Sequence, residues 1–276
     1  MQRFDAAAGR WTGGDFRRGA EIDELTVSTF NVWFESFFAE QRYPAIATLL
    51  SRSAPDVMAF QEVTADALTL FCAEPWIRER YCRVAVTGRG VGNYGMLVLS
   101  RIPIRRATYL PLPTKMTRGV LVAELDVGGR GLPFGSVHLD SGKASAHLRA
   151  RQLATAFRAV SDHENAVLVG DYNMRDGEND RIAEPFTDVW PALRPGDPGF
   201  TEDTSINLMR FDSKNKHRQV RFDRVLLKGS SWTAVDIGLI GTEPIAAELP
   251  RVFPSDHFGV LCRLVRSDSE LSGQGN

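Results

Sequence analysis

Only three of the 276 residues are cysteine, Cys72, Cys82 and Cys262, and none belongs to a CxxC pair. A disulfide framework and a zinc knuckle are therefore both excluded on spacing, and reduced thiols buried as small apolar side chains are expected. No run approaches the ~20 apolar residues of a membrane span, and the opening MQRFDAAAGRWTGGDFRRGAEIDEL carries charges where a signal peptide needs an apolar stretch. The expectation is a soluble, cytoplasmic protein with no membrane partner. Charge of either sign is not in excess either: Lys+Arg 33 against Asp+Glu 34 leaves a formal net charge of -1, so any basic surface must be local. No Pro/Ser-rich linker, charge block or fixed-period repeat divides the chain. One globular unit is predicted over 25–266, with an N-terminal extension at 1–24 and a polar tail at 267–276.

Hydrophobic residues are plentiful, at 43%, and they fall mostly in short strand-like runs. LTVSTFNV (25–32), DVMAFQ (56–61), YCRVAV (81–86), GMLVLS (95–100), VLVAELDV (120–127), LPFGSVHL (132–139), AVLVGD (166–171), FDRVLLKG (222–229) and HFGVLCRL (257–264) are rich in β-branched and aromatic residues. Helical spacing occurs around Ile46, Leu49 and Leu50, around Ala67, Leu68 and Phe71, and around Leu153, Ala156, Phe157 and Val160. Many strands with a few interspersed helices predict an α/β fold of four layers, an α/β/β/α sandwich of two packed sheets with helices outside.

Polar residues gather where the apolar strands end. Asn31 follows VSTF, Gln61 and Glu62 follow DVMAF, His138 and Asp140 lie in FGSVHLD, Asp171 and Asn173 follow AVLVG, Asp223 lies in RFDRVLL, and Asp256 and His257 precede FGVLC. A lone Asn or Asp at a strand end ordinarily caps a turn. Six such groups at ends that a sandwich tends to place at one edge predict a single site. Asn31, Glu62, Asp171, Asn173 and Asp256 offer hard oxygen donors, which suit Mg²⁺, with Mn²⁺ as a substitute, and leave room for phosphate oxygens. His257 needs a partner to fix its tautomer, and Asp223 is the candidate.

A local basic run, RFDSKNKHRQVR (210–221), sets Arg210, Lys214, Lys216, Arg218 and Arg221 against Asp212 alone. It reads as a loop able to track a nucleic-acid backbone, or else as an ordinary solvated loop. Phe222 precedes Asp223, so its ring could face the opposite way along the strand and stack on a base, or join the core. Lys115, Arg118, Lys143, Arg149 and Arg151 are further phosphate-contact candidates, with Arg149 and Arg151 expected on an exposed helix face.

The ordered set TFN, FQEV, SVHLDS, GDYN, RFDR and PSDH, spanning 27 to 264, resembles the endonuclease/exonuclease/phosphatase superfamily, which implies the DNase I-like form of the sandwich. LPTKMTRGVLVAELDV, HLDSG with the following Arg149 and Gln152, GDYNMRD, DVW and RFDRVLL look most like the 5′-tyrosyl-DNA phosphodiesterases within it. The resemblance implies Glu62 as the principal metal ligand, with Asn31 beside it and Asp256 holding a metal-bound water. It implies that Asp171 and Asn173 position the attacking water, that His257, oriented by Asp223, stabilises phosphoryl charge, and that His138, Ser141, Arg118 and Arg175 contact the phosphate. Asp171 is the first candidate general base and His257 the second.

The implied activity is Mg²⁺-dependent hydrolysis of a 5′-phosphotyrosyl bond on a single-stranded DNA end, by a monomer consisting of a bare catalytic domain. A general nuclease or abasic-site endonuclease of the same superfamily, and a non-catalytic nucleic-acid-binding module, are the alternatives. One departure stands out: Glu202, in FTEDTSIN, occupies a position where the family pattern has tryptophan, and a carboxylate there is expected to repel phosphates.

Overall fold

Two β-sheets face one another because their strands are apolar on both sides, with a period of two. In strand β4 (Val57–Val63), Val57 and Ala59 enter the core between the sheets while Met58 and Phe60 face an outer helical layer. Strand β10 (Ala166–Asp171) does the same in the opposite sheet: Val167 and Val169 point inward, and Ala166 and Leu168 meet the other helical layer. The structure, a computed structural model, describes residues 1–14, 18–88, 91–114, 116–182 and 184–267. Lys115 and residues 268–276 of the predicted tail lie outside the described residues.

The larger sheet has eight strands in the order β15 (Trp232–Ile240), β16 (Gly259–Arg266), β3 (Glu24–Asn31), β4, β6 (Gly95–Ser100), β5 (Cys82–Val86), β1 (Gln2–Asp5) and β2 (Arg10–Thr12). The second has six: β11 (Phe186–Asp188), β14 (Asp223–Lys228), β10, β9 (Arg130–His138), β8 (Gly119–Val127) and β7 (Ile104–Pro111). Helices α1 (Ala39–Ser53), α2 (Ala65–Ala73) and α3 (Pro75–Arg80) cover the first sheet through Tyr43, Ile46, Leu50, Phe71 and Ile77. Helix α4 (Ala146–Arg158) covers the second through Leu153 and Ala156, and the short α5 (Val189–Leu193) sets Val189 and Trp190 against the inter-sheet core. The four-layer α/β/β/α order follows.

The fold departs from the sequence expectation at the N-terminus and at the sheet edges. Residues 1–24 are not merely an extension, because the β1–β2 hairpin adds to the sheet through β5, with Arg78 over the Phe4 ring and Trp11 Nε1 donating to the Cys72 carbonyl at 3.3 Å. Strands β7, β11 and β15 were not expected, and all three are edge strands with exposed positions. The three cysteines are buried, as their apolar surroundings suggest, and burial pushes the thiols of Cys82 and Cys262 up to about 11 and about 12.

Topology gathers the polar strand ends. β3 and β4 run parallel, with Asn31 opposite Gln61, and β9 and β10 run parallel, with His138 opposite Asp171. β14 returns antiparallel beside β10, placing its first residue, Asp223, opposite Asp171. β16 returns antiparallel beside β3, so the residues that precede it, Asp256 and His257, arrive beside the end of β3. Six segments thereby meet at one edge of both sheets.

Candidate active site

The floor of this edge is built by a break in β4. The register slips between Gln61 and Val63, and Glu62 sits at φ 59°, in the left-handed region, where a residue with a Cβ bears a cost of about 1–2 kcal/mol. The bulge lets neighbouring residues point usefully. Gln61 turns into the core, accepting from Thr29 Oγ1 at 3.2 Å and donating to Ser136 Oγ at 3.0 Å, which ties the two sheets together. Glu62 turns into a cavity of about 520 Å³, accepting a hydrogen bond from the Phe34 backbone N–H at 3.3 Å.

Asp171 ends β10 with an unusually full set of donors. The Asn31 side-chain amide donates to it at 3.1 Å, and Asn173 donates from its backbone and side-chain nitrogens, each at 2.9 Å. Burial opposes its charge, but the imidazoles of His138 and His257, with Arg118, outweigh that and hold the carboxyl well below the usual range. Asn173 adopts φ 50°, tolerable for asparagine, and its side chain also donates to the Leu139 carbonyl at 3.1 Å. Across the cavity, His257 Nδ1 stands 2.7 Å from Asp223 Oδ2. Burial opposes the imidazolium here too, yet Asp223, Asp171 and Asp256 raise the His257 pKa well above its ordinary value. The proton stays on the pair, with Nδ1 facing Asp223 and Nε2 left to face other groups.

Burial, with Asp256 beside it, lifts Glu62 to about 7. Two largely buried carboxylates repelling one another at a cavity floor mark a place where a cation belongs. Their oxygen chemistry fits a hard divalent ion, and a buried nitrogen points the same way: His138 Nε2 lies 3.5 Å from Asp171 and 3.8 Å from Glu62 with no hydrogen-bond partner. Burial and Arg118 push that imidazole to about 4, so it is neutral. Asp171, Asp223 and His257 also bring potential ligand atoms within 4.8 Å of one another, but His257 and Asp223 are already engaged with each other.

The rim is cationic. Arg118 donates to the Leu139 carbonyl at 3.0 Å and to Tyr94 Oη at 2.6 Å, and Tyr94 stacks on Phe34 with centroids 4.7 Å apart. Ser141 and Lys143 line the same side. Their loop is fastened from α4, where Arg149 donates to the Asp140 and Gly142 carbonyls and Gln152 donates to Asp140 Oδ1 at 2.8 Å. On the far side stand Arg175, Arg210, Lys214, Lys216, Arg218 and Phe222. The Phe222 ring is 3% exposed and lies beneath the Arg175 guanidinium, 5.7 Å away, so it forms wall more than platform.

Most of the site residues named from sequence line this cavity, whereas Asn31, His138, Asp223 and Arg221 do not, although Asp223 stands against His257 Nδ1 where its orienting role needs it. Asn31, His138 and Asp223 sit behind the lining; Asn31 receives the Trp33 N–H at 3.0 Å and steadies Asp171 instead of facing the cavity. Arg221 leaves the basic run altogether, buried with Nη1 on both oxygens of Asp188 at 2.9 and 2.8 Å. Arg149, expected exposed, is 1% exposed and grips Glu178 at 2.6 and 3.0 Å. Glu202 does not confront phosphates as a bare charge, since Arg210 and Arg218 neutralise it. Phe34 and Tyr94 were not foreseen; the aromatic run WFESFF, one residue past Asn31, was the available signal for Phe34.

The sequence profile of the Endonuclease/Exonuclease/phosphatase family matches residues 28–257. Tyrosyl-DNA phosphodiesterase 2 of Rattus norvegicus is 27% identical over 263 residues, 89% of this chain and 69% of that protein. The Xenopus laevis protein of the same name is 31% identical over 248 residues, covering 83% of this chain but 62% of the relative. The chain thus spans roughly two thirds of the length of these relatives. Among solved structures, D. rerio TDP2 complexed with a single-strand DNA product superposes with a TM-score of 0.77 at 23% identity, over 87% of this chain and 98% of that one. A Bacteroides thetaiotaomicron mannosyl-6-phosphatase gives a TM-score of 0.68 at 21% identity, covering 87% and 99%.

Proposed function

Because the chain belongs to the Endonuclease/Exonuclease/phosphatase family, we propose that it hydrolyses the phosphodiester joining a tyrosyl side chain to a 5′ DNA end, leaving a 5′-phosphate. The observation that carries this reading is the split of charge in one cavity: carboxylates Glu62 and Asp256 on the floor, Arg118, Arg175, Arg218 and three lysines on the rim, and a 2.7 Å His257–Asp223 pair between them. Such a cavity suits a cation below and a phosphate above. The likeness to relatives named for tyrosyl-DNA phosphodiesterase activity supports the leaving group.

Glu62 and Asp256 would hold Mg²⁺, whose chemistry is to polarise a non-bridging phosphate oxygen. This chain's own groups then divide the work. Asp171, fixed by Asn31 and Asn173, accepts a hydrogen bond from the attacking water and aligns it in line with the leaving oxygen. Its depressed pKa makes it a weak proton acceptor. The leaving phenolate, with a pKa near 10, needs less help than a sugar alkoxide, so a weak base and no dedicated acid suffice. The charged His257, oriented through Nδ1 by Asp223, donates from Nε2 to the phosphoryl oxygens as charge grows. The Phe34–Tyr94 stack beside Arg118 offers an aromatic wall for the departing ring.

The test is a gel assay with Mg²⁺, setting a 5′-phosphotyrosyl single-stranded oligonucleotide against a duplex with an abasic site, with Glu62→Gln as control. Release of a 5′-phosphate from the tyrosyl substrate alone is expected. Cleavage confined to the abasic duplex would move the protein to the repair-endonuclease branch of the family.

A further inference from the structure

Between Thr201 and Arg221 the chain leaves the sheets and returns. The stem of this excursion is the strand pair β12 (Glu202–Asp203) and β13 (Gln219–Val220), and its outer part is α6 (Leu208–Lys214). Several bonds fix it against the cavity. Thr201 Oγ1 receives the backbone N–H groups of Phe222 and Asp223, both at 3.0 Å. Asn207 caps α6 by accepting from the Arg210 N–H at 3.0 Å and donates to the Ser255 carbonyl at 2.8 Å, one residue from Asp256. Arg218 and Thr204 exchange three bonds, of 2.7, 3.0 and 3.1 Å.

Glu202 lies at the centre of this arrangement, 2% exposed. One carboxylate oxygen takes Arg210 Nε at 2.7 Å and the other takes Arg218 Nη1 at 3.1 Å. Arg210 reaches on to Asp256 Oδ2 at 3.1 Å, which locks the pair to the edge of the catalytic floor. Two guanidinium groups here meet two carboxylates, Glu202 and Asp256, so the surplus positive charge on this wall comes from Lys214 and Lys216. Asp212, the acid within the basic run, is taken by Arg251 at 2.6 and 2.8 Å and neutralises neither lysine. Among the described residues, no ion pair joins Lys214 or Lys216 to a carboxylate.

We infer that Glu202 is a positioning residue that presents Arg210 and Arg218, with Lys214 and Lys216, as a second phosphate-binding subsite next to the catalytic one. This rests on the proposed reading of the site and names what it selects: a single strand with an internucleotide phosphate adjacent to the scissile group, in preference to an isolated mononucleotide ester. A fixed guanidinium fork matches phosphate in a way that a mobile lysine does not, and a buried carboxylate is what fixes it. The acid at 202 then serves phosphate binding instead of opposing it.

Direct binding tests this without turnover. In EDTA, fluorescence anisotropy would compare 5′-phosphorylated, 3′-labelled thymidine mononucleotide and dinucleotide on the wild type, Arg218→Ala, Arg218→Lys and Glu202→Gln. The added internucleotide phosphate should tighten wild-type binding at least tenfold at low salt. That gain should fall below threefold in Arg218→Ala and Glu202→Gln, and the slope of log K against log salt should drop by about 0.7 for the lost contact in Arg218→Ala. Arg218→Lys should keep the slope and lose part of the gain. No wild-type gain, or a full gain in Arg218→Ala, would overturn the subsite; equal weakening of both ligands would reduce Glu202 to a structural staple. Wild-type hydrolysis of thymidine 5′-(p-nitrophenyl phosphate) is measured separately, and its absence would sink the proposed reaction while leaving the binding comparison intact.

Discussion

Glu62 carries two costs for the fold: a left-handed backbone and a carboxylate crowded against Asp256 in a buried floor. Replacing it with glutamine removes the second. Glu62→Gln is therefore expected to raise the melting temperature in EDTA while abolishing turnover, and to gain less thermal stability than the wild type when Mg²⁺ is added. A wild-type melting temperature indifferent to Mg²⁺ would remove the ion from this floor. Arg149 and Glu178 present the opposite case, a buried pair satisfied on both sides. Burial alone would raise the Glu178 pKa, but the hydrogen bonds and charge of Arg149 lower it. A depressed carboxylate contributes stability above its unfolded pKa, near 4.3, and loses it as pH falls through the folded value. Glu178→Gln should thus cost about 3 kcal/mol in denaturant titrations near neutrality, with the gap to wild type closing below about pH 4.

At the scale of elements, the excursion between β12 and β13 depends on a few polar anchors more than on a core of its own. Asn207→Ala removes both the α6 cap and the bond to Ser255; a loss of about 1–2 kcal/mol is expected, together with weaker oligonucleotide binding. Binding unchanged in that variant would show that the wall holds its shape without this anchor. The same scale explains what the sequence revealed. Strands buried on both faces, such as GMLVLS in β6 and AVLVGD in β10, were legible from apolar runs alone. β7, IRRATYLP, was not, because an edge strand with one side to solvent reads like a loop. Arg149 looked exposed since its partner comes from a 3₁₀ turn 29 residues on, and Glu202 looked isolated since its partners lie 8 and 16 residues away. Local patterns expose periodicity; ion pairs closed by the tertiary fold leave no local trace. The acids, amides and histidines of the floor were legible because each stands where an apolar run stops or starts.

For the whole molecule, a net charge of -1 conceals a cavity with acids below and a cationic rim above. The field that draws in a polyanion is therefore local, and oligonucleotide kcat/KM should fall steeply between roughly 50 and 200 mM salt, while that of a mononucleotide ester falls less. Parallel salt profiles for the two would mean that the rim plays no part in capture.

The way the strand ends converge has a further consequence for how the protein can be followed as it folds. Asn31 and His257 come from opposite ends of the chain and both belong to the larger sheet, while His138, Asp171 and Asp223 between them belong to the other. No half of the sequence holds a working subset, so the site comes into being only once long-range pairing and sheet-on-sheet docking are complete. Regain of activity after dilution from denaturant should accordingly lag the first recovery of β-structure and track the last burial of the inter-sheet core, which makes turnover a sensitive reporter of the finished fold.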